Sequence, residues 1–151
     1  MKASMALIVF LLPVGCSFVT LAHADFYVVP VKPGVGVAIS NLPCVISAPG
    51  FYYLSRDLHF APTTGAAVTI DADDVTLDLM GFSLSGPGSS SGDSRGILIE
   101  RQANVEVRNG SITDFGGFGI LGFGSDGHWS NRIIGVRSVR NGGTGIWMDG
   151  K

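Results

Sequence analysis

The chain is 151 residues long, with twelve acidic side chains against ten basic ones and a net charge of −2 at pH 7. That length suits one small domain, and the charge lacks the basic surplus that marks nucleic-acid binders, so no nucleic-acid partner is expected. Of the two cysteines, Cys16 falls inside an expected leader and Cys44 beyond it, which leaves the mature chain no internal disulfide and burial as the source of its stability.

Lys2, an apolar run from Met5 to Leu12 extended through Phe18 to Leu21, and the small-residue ending Ala22, His23, Ala24 predict a secretory signal peptide over residues 1–24, cut before Asp25. The alternative is a lipoprotein signal at Leu12–Cys16 with Cys16 lipidated. Pro13 stands where such signals carry Leu, and the A-x-A ending fits the first reading better. Pro13 also interrupts the run as a membrane span, and nothing downstream is apolar enough to cross a bilayer. The expected location is therefore exported, periplasmic or extracellular.

Residues 25–64 read as a lead-in and N-terminal cap. Phe26–Val29 is a predicted strand, Pro33 and Gly34 mark a turn, and Val45–Ile46, Phe51–Leu54 and Leu58–Phe60 are short strands around the Ala48–Gly50 turn. From 65 to 151 the chain repeats itself. The windows Ala67–Ile70, Gly96–Ile99, Gly119–Gly122 and Gly145–Met148 recur roughly every twenty to thirty residues, the period of a solenoid. Each turn has three short apolar bursts: 67–70, 75–79 and 82–84, then 97–99, 105–107 and 111–112. A less regular third turn follows at 120–121, 133–134 and 136–139. Bursts this short, separated by Gly, Asn and Asp, are strands and not helices, so the fold class is all-β, a parallel β-helix with three short strands per coil.

Corner residues follow the same alignment. Asp74, Asn104 and Asn131 each precede a second strand, where short polar side chains bond nearby backbone and stack coil upon coil. Gly81, Gly110 and Gly135 follow the second strand, where a bend favours positive φ. Gly86–Ser94 is an expected flexible loop between the first two turns. The chain stops at Lys151 directly after the Gly145–Met148 window, which predicts a truncated solenoid and self-association through its open last coil.

The run Ala48–Leu54, followed by Asp73–Gly81, Asn104–Gly110 and Phe118–Ile120, resembles secreted bacterial right-handed parallel β-helix repeat proteins of the pectin-lyase-like superfamily. The resemblance covers Phe26 to Lys151. It implies a right-handed coil and a scaffold shared by polysaccharide lyases, glycoside hydrolases, epimerases and phage tailspikes, which specifies fold and leaves reaction open.

No complete catalytic set is legible. Asp71, Asp73, Asp74 and Asp78 are spaced closely enough to suggest calcium, which the lyases of this superfamily use, but a cation site needs several convergent oxygens. Alternation instead turns Asp78 outward beside Arg108 of the next turn, a cross-strand charge pair, with Glu106 over Thr76. Polygalacturonase-like members carry aspartates on adjacent coils with Gly-His and Arg-x-Lys signatures. Asp73, Asp74, Asp126 and His128 echo this only in part, on different turns, and no Arg-x-Lys follows. A lyase base would have to come from Lys32, Lys151 or an arginine such as Arg137 or Arg140. His59, His128, Met80, Met148 and Cys44 are isolated, so no metal site and no cofactor is expected, calcium being the alternative. Gly116–Gly119 and Phe123–Gly124 are glycine-rich but lack the strand-to-helix setting of a phosphate loop.

Alternation is more informative on the first strands. With Val68, Ile70, Ile97, Ile99, Ile120, Ile146 and Met148 inward, Thr69, Leu98, Leu121 and Trp147 form an outward column. Leu98, Leu121 and Trp147 are the candidate contact residues, a platform for a sugar ring or for another chain, the alternative being that a loop, the lead-in segment or further C-terminal chain covers the stripe. The expected function is an exported carbohydrate-binding or polysaccharide-associated protein. The alternatives are the N-terminal part of a lyase or glycosidase with catalytic coils beyond residue 151, and a structural or adhesive surface protein.

Overall fold

The computed structural model describes residues 36–124 and 130–149. The leader at 1–24, the strand expected at Phe26–Val29, Asp126, His128, Lys32 and Lys151 lie outside the described residues. Within them the chain is all-β, with twelve strands and no helix: β1 (Val37–Ile39), β2 (Cys44–Ile46), β3 (Gly50–Leu54), β4 (Leu58–His59), β5 (Thr64–Ile70), β6 (Val75–Asp78), β7 (Ser83–Ser85), β8 (Asp93–Glu100), β9 (Glu106–Thr113), β10 (Ile120–Phe123), β11 (Arg132–Val139) and β12 (Ile146–Met148).

Every strand pairing is parallel, and successive coils stack as a β-solenoid of about four turns. One sheet runs β12-β10-β8-β5-β2; the other holds β1, β3, β6, β9, β7, β4 and β11. The coils are β2–β4, β5–β7, β8–β9 and β10–β11, and β12 opens the next. Residues 44–60, expected within the cap, thus supply a coil of their own. Cys44–Ile46 lies on Val68–Ile70, Gly50–Tyr53 on Val75–Asp78, and Leu58–His59 on Leu84–Ser85. Only β1, which pairs with Tyr52–Leu54, stands outside that three-strand pattern among the described residues at this end.

Stacking explains the core. Ile46, Ile70 and Ile99 share one column, Val68, Ile97 and Ile120 another, Leu77 and Val107 a third, and Leu84 and Ile112 a fourth. All are buried. Each such side chain contributes about 1.5–3 kcal/mol on leaving water, and with Cys44 a free thiol the described residues have no disulfide to add to that sum. Phe115 is the largest fully buried residue and packs against Phe60, ring centroids 6.3 Å apart. Gly86 and Gly96 make room for it: a Cβ at Gly86 would stand 2.8 Å from the Phe115 ring.

The third turn, irregular in sequence, is regular in space. β11 lies as one strand on β9, Arg132–Ile134 on Glu106–Arg108 and Val136–Val139 on Gly110–Thr113. Four residues separate β6 from β7, whereas only Asn109 and Gly110 join the corresponding parts of β9, so the ladder runs on around the bend. The bend differs from expectation in one residue. Gly81 and Gly135 have positive φ, but in the middle coil it is Asn109, at φ 57°, that turns left-handed. Gly110 is required for a different reason: a Cβ there would collide with Leu79 and stand 2.6 Å from the Phe82 carbonyl oxygen. The Gly86–Ser94 insertion packs back on the stack, Gly88 N–H donating to the Asp114 carbonyl at 2.8 Å.

Candidate functional site

The outward column of the first sheet has the expected register. Val45 pairs with Thr69, Thr69 with Leu98, Leu98 with Leu121, and Leu121 with Trp147. Its exposure is uneven. Thr69 and Leu98 are half-buried and Leu121 is only 5% exposed, while Trp147 is 48% exposed. The indole does not stand alone, because Phe118 stacks on it with ring centroids 5.5 Å apart and planes at 24°. The reachable part of this face is therefore the Phe118–Trp147 pair with the flank of Leu98, and Leu121 acts as the floor. Ile146, inward by alternation, is also exposed in β12, the last strand described.

The aspartate cluster is dispersed by the coil stacking. Asp71 accepts from Gln102 at 3.3 Å, Asp73 from the Ala103 N–H at 2.8 Å, and Asp74 from Asn104 at 2.6 Å. Asn131 continues this ladder, accepting from the Val105 N–H at 2.8 Å and donating to the Gln102 carbonyl at 2.9 Å. Asp74 and Asn104 hold φ of 56° and 55° to do so, which short polar residues tolerate best after glycine. Among the described residues no three His, Cys, Asp or Glu side chains converge on a point that could hold a metal.

Asp78 and Glu106 belong to a different construction on the second sheet. Register places Phe51, Thr76, Glu106 and Arg132 in one outward column, and Tyr53, Asp78, Arg108 and Ile134 in the next. Arg108 bridges the two: its Nε donates to Asp78 Oδ2 at 2.8 Å and its Nη1 to Glu106 Oε1 at 2.9 Å, while Arg132 pairs with the other Glu106 oxygen. The guanidinium reaches back across small Thr76 and lies 5.8 Å over the Phe51 ring, which itself stacks on Tyr53 at 6.1 Å. This roof explains two buried carboxylates on an outward face, Asp78 at 5% and Glu106 at 9% exposure. Burial pushes the Asp78 carboxyl upward, but the Met80 N–H, Arg108 and Asn109 together hold it below the usual carboxylate range. Such a group is an ionised acceptor and ill suited to be the protonated acid of glycoside hydrolysis.

The remaining candidates are separate. His59 Nδ1 contacts Ser85 Oγ at 3.1 Å. Cys44 is a free thiol whose pKa burial raises. Arg140 is clamped to Asp114 by two 2.7 Å bonds, which raise its pKa and make it a poorer proton acceptor. Phe51, Tyr53 and Arg132 escaped the sequence reading, although the alternation that turned Asp78 outward turns Phe51 and Tyr53 outward as well.

Comparison of the chain with protein-family models, curated proteins and solved structures gives no match. Among the described residues no helix is long and apolar enough to cross a membrane.

Proposed function

We propose that this chain is an exported β-helix module, of the pectin-lyase-like kind, that binds polysaccharide on the outer face of its first sheet. The leader read over residues 1–24 supports export, and the parallel solenoid supports a flat, repeating surface suited to a repeating polymer. The observation that carries the reading is the Phe118–Trp147 pair. Two stacked rings, one of them about half exposed at the end of an in-register column, offer an apolar shelf of sugar-ring size. Catalysis has no comparable support, since the carboxylates of the described residues are engaged by neighbouring coils or scattered around the solenoid.

Intrinsic fluorescence tests the reading. In a Trp129→Phe chain the emission comes from Trp147 alone, and titration with soluble glycans is expected to shift it and quench it. Emission that ignores every neutral and acidic glycan tried, with the fold intact by circular dichroism, would remove this face as the contact surface.

A further inference from the structure

We infer that the outward face of β3, β6 and β9 is a second binding surface, a shelf made of the Tyr53 ring backed by Phe51 and flanked by the Arg108 guanidinium that lies over Phe51, which takes an uncharged, hydroxyl-rich glycan. It does not rest on the Trp147 face. Phe51 and Tyr53 sit two residues apart on β3, so both rings leave the same side of the sheet, and they stack with planes at 24°. Both are half-buried. A sugar presents C–H groups to such rings and hydroxyls at its rim, and the rim here meets polar groups already fixed in place.

The arginine beside the shelf is preorganised. A surface arginine ordinarily loses rotamer freedom when it binds something. Arg108 has already lost it, being held by Asp78, Glu106 and the face of Phe51. Buried ion pairs are weak contributors to stability and an apolar pair of similar volume serves a sheet as well, so stability alone does not account for two carboxylates buried on an outward face. Positioning a donor beside a ring does account for them.

Charge selects the ligand class. Asp78 and Glu106 balance Arg108 and Arg132, so the cluster carries no net charge to attract an anion, and an acidic group near the shelf would also meet two carboxylates. Hydroxyls suit it better, because they accept from the Arg108 guanidinium N–H groups that Asp78 and Glu106 leave free.

The test uses the native chain. Tyr53 is nitrated with tetranitromethane with and without a neutral soluble β-glucan, and Tyr52, whose hydroxyl donates to the Ala48 carbonyl at 2.9 Å, is the internal reference. The expected result is selective protection of Tyr53 by the glucan, equal in the native chain and in Trp147→Ala, and weaker or absent with polygalacturonate. Tyr53→Ala is expected to weaken glucan retardation in affinity gels by about tenfold, the loss of the stacking ring. Tyr53 nitration that ignores the glucan overturns the site, protection only by polygalacturonate overturns the ligand class, and protection that vanishes in Trp147→Ala overturns its independence. Silent Trp147 fluorescence with Tyr53 still protected would fell the first-sheet reading alone.

Discussion

Replacing Asp78 by Ala perturbs the most enclosed charge in the described structure. Its carboxylate accepts from the Met80 N–H at 2.8 Å, from Arg108 Nε at 2.8 Å and from the Asn109 amide at 3.2 Å, and it joins coils two and three at a corner where Met80 and Asn109 are both left-handed. Removing it leaves the Met80 N–H and the Asn109 amide without that acceptor and Arg108 with Glu106 alone. A hydrogen bond to a charged group is worth about 1.5–3 kcal/mol, and breaking a fully buried pair about 3–5 kcal/mol. Because the guanidinium side of this pair still reaches water, the expected loss is about 2–3 kcal/mol, between the surface and buried limits. Asp114 is the control. It also binds an arginine through two bonds, but its side chain is 30% exposed and that of Arg140 more so, which predicts a clearly smaller loss in Asp114→Ala. Urea denaturation at pH 7 measures both. The Asp78 contribution depends on pH with a definite sign: its folded pKa is depressed, so the stabilisation is complete above the unfolded value of about 4 and is lost as pH falls through the folded value below it. The difference between native and Asp78→Ala chains should accordingly be flat from pH 8 to 5 and shrink under stronger acid. A loss in Asp114→Ala equal to or larger than that in Asp78→Ala would refute the argument that burial sets the magnitude.

The corner glycines should separate by mechanism. Gly110→Ala forces a methyl group against Leu79 and the Phe82 carbonyl and is expected to destabilise by about 1–3 kcal/mol, whereas Gly135→Asn, at φ 62° and over Asn109, should be nearly neutral in the same denaturation assay. Asn131→Ala leaves the Val105 N–H and the Gln102 carbonyl without their partner, for an expected loss of about 1–3 kcal/mol. Leu77→Ala, at the centre of its column, should cost about 2–5 kcal/mol. Because burial raises the Cys44 thiol, alkylation of the Cys44 peptide at pH 8 should be slow in the native chain and rapid in urea, as read by mass spectrometry.

Most of the stacking was legible in the sequence because a solenoid converts it into a two-dimensional pattern. Laying Asp73–Gly81 over Asn104–Gly110 was enough to pair Asp78 with Arg108 and Thr76 with Glu106, since strand alternation has period two and parallel coils repeat at the same position. The same logic placed Thr69, Leu98, Leu121 and Trp147 in one column and Asp74, Asn104 and Asn131 along one corner. It was silent on reach. Alternation states which side a residue leaves the sheet, but the path of a long side chain depends on the size of what lies between.

By itself, then, the sequence determined the coil, the register of its two regular turns and their inward columns, which follow from short-range periodicity in apolar residues, while the register of the third turn came from the structure. Tertiary structure alone decided three things. Leu121 is buried though it points outward, Gly110 serves close approach while Asn109 makes the turn, and Arg108 crosses Thr76 to cover Phe51 and enclose two carboxylates. Each depends on volume supplied by other coils, the adjacent ones for Leu121 and Gly110 and one two coils away for Arg108, and no local pattern encodes how much room those neighbours leave.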